Sequence, residues 1–400
     1  MNWHKLLKQA LKDFLRKKKN NNEYTTYIQT FANNYKTELA NIERHLKKKD
    51  YKFGKWKAKL IPKKDGGKRP LIIPTLIKDK LVLKAISFYL SDTLSNDFEK
   101  VGFISYAYQK GKSSRDALIQ LKKIHVPQNC LLKIDIKHFF DEIDKDILIK
   151  LLNTFSINDY VKELICKSIN PPINYSFLNK EEIQNFPKGG IPQGNSISAI
   201  LSNLYLNEFD RLSISNGWKM IRYADDIVFS VSNKKEALLI LSQVEKYLLE
   251  KRKLNIHRLN DSSESKTAIY DNPQKCHMKY LGIIFDGKNL FPTQECCYQL
   301  IGKVKSILKN EATSKEKNKN IKTAIAQWCG YYAFTDIPKS RIKKMNSSIN
   351  YLIKKWNLNT KEIDITNTIE LSRKRQNNKL IQLFKPTRFG EEYEWLNYYN

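Results

Sequence analysis

Apolar side chains at Trp3, Leu6, Leu7, Ala10, Leu11, Phe14 and Leu15 recur at three- and four-residue spacing. That period predicts an amphipathic helix over 1–19, with lysines on its opposite face. Such a helix docks on the rest of the chain or on RNA backbone more readily than it lies on a membrane. An asparagine-rich break at Asn20–Asn22 reads as a linker. From 23 to about 287 the pattern alternates between two periods. Helices are expected near 24–48, 78–100, 113–124, 144–169, 196–214 and 234–252. Strands are expected at 57–62, 69–74, 130–135, 219–223, 227–231, 266–270 and 279–285. This alternation predicts an α+β body. From about 291 the chain turns helical and basic, with Lys/Asn clusters at 309–322 and 341–356. The aromatic group Trp328, Tyr331, Tyr332 and Phe334 lies between those clusters and is expected to pack rather than stack on bases. Three units follow: an N-terminal basic helix and extension (1–22), a mixed body (23–290) and a C-terminal helical region (291–400).

Charge narrows the partners. Seventy-one Lys and Arg against 41 Asp and Glu leave a formal charge of +30, a field that attracts a polyanion. No run approaches the ~18 consecutive apolar residues of a membrane span, and no signal peptide is read at the start. Nucleic acid, not membrane, is therefore the expected partner. The six cysteines show no C-x-x-C spacing, which fits a reducing cytoplasm. Cys276–His277 and Cys296–Cys297 do not make a zinc site, because adjacent cysteines do not easily face one tetrahedral ion.

The chemistry centres on carboxylates. Arg222-Tyr223-Ala224-Asp225-Asp226-Ile227-Val228-Phe229 places two adjacent aspartates between apolar runs, as on a hairpin tip. Taken alone, this dipeptide could be a solvated turn. A second run, Leu131-Leu132-Lys133-Ile134-Asp135, is an apolar strand ending in an aspartate. If it pairs beside the hairpin, Asp135 meets Asp225 and Asp226. Burying such a group costs several kcal/mol unless a cation neutralises it. Hard oxygen ligands suit Mg²⁺, and two ions ~3.5–4 Å apart would support an in-line phosphoryl displacement.

These stretches, Asp135-x-x-x-Phe139-Phe140 and Tyr223-Ala224-Asp225-Asp226, resemble the two catalytic motifs of reverse transcriptases. Gly189-Gly190-Ile191-Pro192-Gln193-Gly194 lies between them, as it does in the family. Further blocks fall in order: Arg69-Pro70-Leu71-Ile72-Ile73-Pro74-Thr75, Ser105 through Ser113, Leu254-Asn255 with Lys266-Thr267, and Lys279-Tyr280-Leu281-Gly282. The likeness covers roughly 50–290. It implies a right-hand polymerase, with fingers and an antiparallel palm sheet followed by an α-helical thumb. It also implies RNA-directed DNA synthesis from dNTPs on an RNA template with a DNA primer or product, using two Mg²⁺ ions for which Mn²⁺ could substitute. Asp135, Asp225, Asp226 and the backbone carbonyl of Ile136 would hold the metals. Lys63 and Arg69 would grip the triphosphate, although a basic surface turn reads the same way. Phe140 would sit under the sugar as a gate against a 2′-hydroxyl, with Phe139 in the core. Gln193 would touch the nucleotide or the templating base, and Lys266 would protonate pyrophosphate. Asn195 or Ser196 is the expected cap of the helix that follows.

Gln327-Trp328-Cys329-Gly330-Tyr331-Tyr332 is similar to the start of the thumb in group II intron reverse transcriptases. The DNA-binding and endonuclease domains of those enzymes are not expected here. The Val-Thr-Gly of retron thumbs is not found. Asn195-Ser196-Ile197-Ser198-Ala199 also departs from the Ser-Pro-x-Ser-Pro run common in relatives. The chain thus resembles the stand-alone "unknown group" enzymes of anti-phage defence, which implies a cognate structured non-coding RNA. Template-independent or protein-primed synthesis, and an RNA-binding maturase or chaperone with a vestigial site, stay open. So does oligomerisation.

Overall fold

The computed structural model describes residues 1–20, 25–63, 66–260, 265–358 and 363–383. The N-terminal helix, Trp3–Asn20, buries Trp3, Leu7, Ala10 and Leu11 in the main core, where it runs against the helix Ile77–Thr93. Its apolar stripe is thus satisfied by protein. Among the described residues, no helix is long and apolar enough to cross a membrane. Of the linker Asn20–Asn22, residues 21 and 22 lie outside the described set.

Three expected helices are each two. The stretch 24–48 divides at Asn34 into Thr26–Asn33 and Tyr35–Lys47, and 78–100 divides at Leu94. The stretch 144–169 divides into Lys145–Asn153 and Asp159–Ile169. There, Asn158 accepts hydrogen bonds from the amides of Tyr160 and Val161 and starts a new helix. The expected strand 279–285 is also interrupted. Leu281 and Gly282 both have positive φ (49° and 79°) and turn Met278–Tyr280 back onto Ile283–Phe285. Both central residues at positive φ is what a two-residue hairpin turn requires. Leu290–Pro292 adds a third strand to that small sheet.

A four-stranded antiparallel sheet lies at the centre, in the order Met220–Tyr223, Asp226–Val231, Cys130–Asp135, Ala268–Tyr270. Successive side chains point to opposite faces, and both faces are buried. Leu132, Ile134, Ile227 and Phe229 join the core containing the helices Ile77–Thr93, Ser198–Ser215 and Lys234–Arg252. Leu131, Ile221 and Val228 join a second cluster, with the helix Ser114–Ile124 and the small sheet. A separate hairpin, Trp56–Pro62 with Lys68–Pro74, is extended by the short parallel strand Ile173–Asn174.

The helices Gln294–Lys309, Ser314–Tyr332, Lys339–Lys355 and Ile365–Leu383 enclose a core of their own. Tyr332 touches both this core and the cluster under the central sheet. Trp328 donates its indole N–H to the Cys296 carbonyl at 3.1 Å. Tyr331 meets Ser114 at 2.9 Å, and Arg115 stands over the Phe334 ring. The aromatic group therefore packs the junction between the two units.

Candidate active site

The register of the central sheet decides which carboxylates meet. Cys130–Asp135 pairs antiparallel with Asp226–Val231 so that Asp135 lies directly opposite Asp226. Asp225 occupies the adjoining turn, after Ala224 in the left-handed region at φ 60°. The amide of Ile136 donates to the Asp225 carbonyl at 3.4 Å, and that of His257 donates to the Asp135 carbonyl at 2.9 Å. Asp135 and the adjacent pair Asp225–Asp226, far apart in sequence, thus meet at one end of a buried sheet. They face a cleft of about 960 Å³.

Every residue singled out by sequence lines this cleft: Asp135, Asp225, Asp226, Lys266, Lys63, Arg69, Ile136, Phe140 and Gln193. Lys63 and Arg69 come from the separate hairpin, where the Lys63 amide donates to the Gly67 carbonyl at 2.7 Å. Lys64 and Asp65, at its tip, lie outside the described residues. Phe139 is buried and Phe140 reaches the cleft. The loop 189–194 is fastened behind Phe140, with the Ile191 amide donating to the Phe140 carbonyl at 2.8 Å. Gln193 donates its Nε2 to Asp141 at 3.0 Å, and its carbonyl accepts from the Ile72 amide at 2.8 Å. The next helix begins at Ser198, later than expected. Its N-cap is Ile197, which has no side-chain cap, so neither Asn195 nor Ser196 fills that place. Asn195 instead accepts from the amides of Ile197 and Ser198 at 3.0 Å each in the turn that leads in.

The electrostatics are those of crowded buried acids. Burial, then the charge of Asp225, push the Asp226 carboxyl up to about 7. Burial and Asp135 raise Asp225. Burial also raises Asp135, against the pull of Lys266 and Lys133. Lys266 places Nζ 3.6 Å from the Asp135 carboxylate and 3.3 Å from His257 Nε2. Burial and that ammonium push His257 down to about 4, so its ring is neutral near pH 7 and can accept from Lys266. Hard oxygen donors that raise one another's pKa fit a divalent cation, which would relieve the repulsion a single lysine leaves. Among the described residues, no group of three or more such side chains is already gathered as a metal site.

Four contributors escaped the sequence reading: Arg222, Tyr108, Asp141 and His257. Arg222, 1% exposed, donates to Asp210 through Nε at 2.7 Å and Nη2 at 2.5 Å. It also reaches Ser105 Oγ at 2.8 Å, Asn203 Oδ1 at 3.2 Å and the Ala224 carbonyl at 3.1 Å. The guanidinium therefore sits beneath the turn that carries Asp225 and Asp226. An arginine beside such a turn reads as a surface charge, and the acidic partner that buries it stands twelve positions earlier. Asp141 and His257 carry no signal beyond adjacency to named motifs.

The profile of the family described as Reverse transcriptase (RNA-dependent DNA polymerase) matches residues 61–285, more than half of the chain. The group II intron-encoded protein LtrA of Lactococcus lactis subsp. cremoris is 32% identical over 167 residues, 40% of this chain and 26% of that protein. A putative COX1/OXI3 intron 1 protein of Saccharomyces cerevisiae is 25% identical over 61% of this chain and 27% of its own length. The retron Ec83 reverse transcriptase of Escherichia coli is 27% identical over 48% of this chain and 58% of its own. The chain thus spans under a third of these two intron-encoded relatives. The structure of apo telomerase from Candida tropicalis aligns at a TM-score of 0.49 and 15% identity, over 86% of this chain and 60% of that one.

Proposed function

The chain belongs to the reverse transcriptase (RNA-dependent DNA polymerase) family, and we propose that it extends a DNA primer with dNTPs on an RNA template. The observation that carries this reading is the pairing of Asp135 with Asp226 beside Asp225, in a cleft that also presents Arg69, Phe140 and Gln193. Asp135, Asp225, Asp226 and the Ile136 carbonyl would hold two Mg²⁺ ions, with Mn²⁺ as a substitute. When bound, the metals supply Lewis-acid activation of the primer 3′-hydroxyl and neutralise charge on the departing pyrophosphate.

The remaining roles belong to the chain. Arg69 binds triphosphate oxygens through its fixed fork, with Lys63 as a second cation. Phe140 packs under the sugar and leaves no room for a 2′-hydroxyl. Gln193 orients the nucleotide, tied to Asp141 on one side and Ile72 on the other. Lys266, 3.6 Å from the Asp135 carboxylate, would give a proton to the leaving group. The +30 charge supports a nucleic-acid partner. A cognate structured RNA and a role in anti-phage defence rest on the subfamily resemblance.

The test is incorporation of labelled dNTPs on a primed RNA with Mg²⁺, comparing wild type with Asp225→Ala plus Asp226→Ala. A metal-dependent product complementary to the RNA, absent from the variant, is expected. Untemplated tails, or DNA covalently attached to protein, would replace templated extension with one of the other synthetic modes. Equal activity of the two proteins would end the reading.

A further inference from the structure

Tyr108 is held in a backbone conformation that bulky residues rarely adopt. Its φ of 59° lies in the left-handed region, which is costly for a bulky residue and is kept only where the surroundings impose it. Packing does not repay that cost: the side chain is 46% exposed and stands in the wall of the catalytic cleft. Two residues earlier, Tyr106 is buried and donates its hydroxyl to the Phe103 carbonyl, so the turn sends one tyrosine inward and the other into the cleft.

Buried groups enforce this turn. Asn203, 1% exposed, donates to the Ala107 carbonyl at 2.6 Å. The Tyr106 amide donates to the Arg222 carbonyl at 3.0 Å, and the Arg222 amide to that of Ile104 at 2.6 Å. The Arg222 guanidinium holds Ser105 and, at the same time, the Ala224 carbonyl ahead of the carboxylates. One buried network therefore carries two left-handed non-glycine residues, Ala224 and Tyr108, to the same cleft. Tyr108 shares the lining of that cleft with Asp225 and Asp226 of the acidic cluster and with Lys63 and Arg69 of the cationic hairpin.

We propose that Tyr108 contacts substrate, its ring packing against the base pair formed at the reaction centre. This rests on the polymerase reading. Every base offers a π face, so an aromatic ring gives an enzyme that copies all four a sequence-neutral contact. Strain at Tyr108 is then maintained for that contact.

Three variants test it: Tyr108→Phe, Tyr108→Ala and Tyr108→Asn. Each is measured for thermal stability, for binding of a fluorescent primer–template by anisotropy, and for the KM of dNTP. Asparagine tolerates the left-handed region, so Tyr108→Asn should melt no lower than wild type. It should nevertheless bind primer–template or dNTP about tenfold more weakly, the order expected for one lost stack. Tyr108→Ala should lose as much, and Tyr108→Phe, which keeps the ring, clearly less. A lower melting temperature in Tyr108→Asn with unchanged binding and KM would overturn the proposal, because the tyrosine would then serve the fold. Wild type that binds primer–template but incorporates nothing would instead sink the polymerase reading, and the anisotropy arm would still decide the contact.

Discussion

A carboxyl that is displaced in the folded state makes stability depend on pH. Asp226 is pushed up to about 7 from an ordinary value of 3.8, so the folded chain keeps a proton that the unfolded chain releases earlier. Metal-free stability should therefore fall as pH rises from about 4 to about 7. Above that window the site carries its full negative charge and binds a divalent cation best. The gain in melting temperature on adding Mg²⁺ should accordingly be larger at about pH 8 than at about pH 5. Asp226→Asn should flatten the pH dependence and shrink the Mg²⁺ gain. Equal Mg²⁺ gains at both pH values would mean that these acids do not form the cation site. At this scale much was legible in sequence, because Asp135 closes an apolar strand and Asp225–Asp226 interrupt another. Arg222 and Tyr108 were not. The first is buried by contacts with Asp210, Asn203 and Ser105 on other elements, and nothing in a Tyr-Ala-Tyr run announces a positive φ.

Elements position the site by fitting backbone against backbone, and Gly190 marks the tightest fit. It has φ +70°, and a Cβ there would stand 2.2 Å from the Phe140 carbonyl oxygen and 2.5 Å from the backbone of Asp141. Gly190→Ala must therefore push the loop 189–194 off Phe140, at a cost above the ~1–3 kcal/mol of strain alone. The expected result is a lower melting temperature together with weaker exclusion of ribonucleotides, because the gate and Gln193 move together. Gly302 is the control. It lies inside the helix Gln294–Lys309 with open space around it, so Gly302→Ala should stabilise by about 0.5–1 kcal/mol. A Gly190→Ala protein as stable and as selective as wild type would show that the loop does not place the gate. Sequence period located most of these elements and missed their interruptions. Leu281–Gly282 lies inside an unbroken apolar run, Tyr280 to Phe285, and so reads as strand interior. Asn34 and Asn158 break helices through local side-chain and backbone geometry that an apolar pattern spanning 24–48 or 144–169 hides.

Over the whole molecule the question is which surface turns a charge of +30 into binding. Two helices present lysines away from a buried stripe. On Trp3–Asn20, Lys5, Lys8 and Lys12 are exposed opposite Leu7, Ala10 and Leu11. On Lys339–Lys355, Lys343, Lys344 and Lys354 are exposed opposite Ile342, Met345, Ile349 and Ile353. Changing either trio to glutamine lowers the net charge equally, so the long-range field weakens by the same amount in both proteins. Direct phosphate contacts behave differently, since each one releases counterions and adds about 0.9 to the slope of log affinity against log salt on a duplex. If the C-terminal helices hold the template–primer duplex, the Lys343, Lys344 and Lys354 variant should lose up to about 2–3 from that slope. The N-terminal trio should then lower affinity at low salt while leaving the slope nearly unchanged. Anisotropy titrations at four or so salt concentrations separate the two cases. Equal losses of slope would assign the N-terminal helix a share of the duplex, and no loss from either would leave both lysine faces as solvated surface.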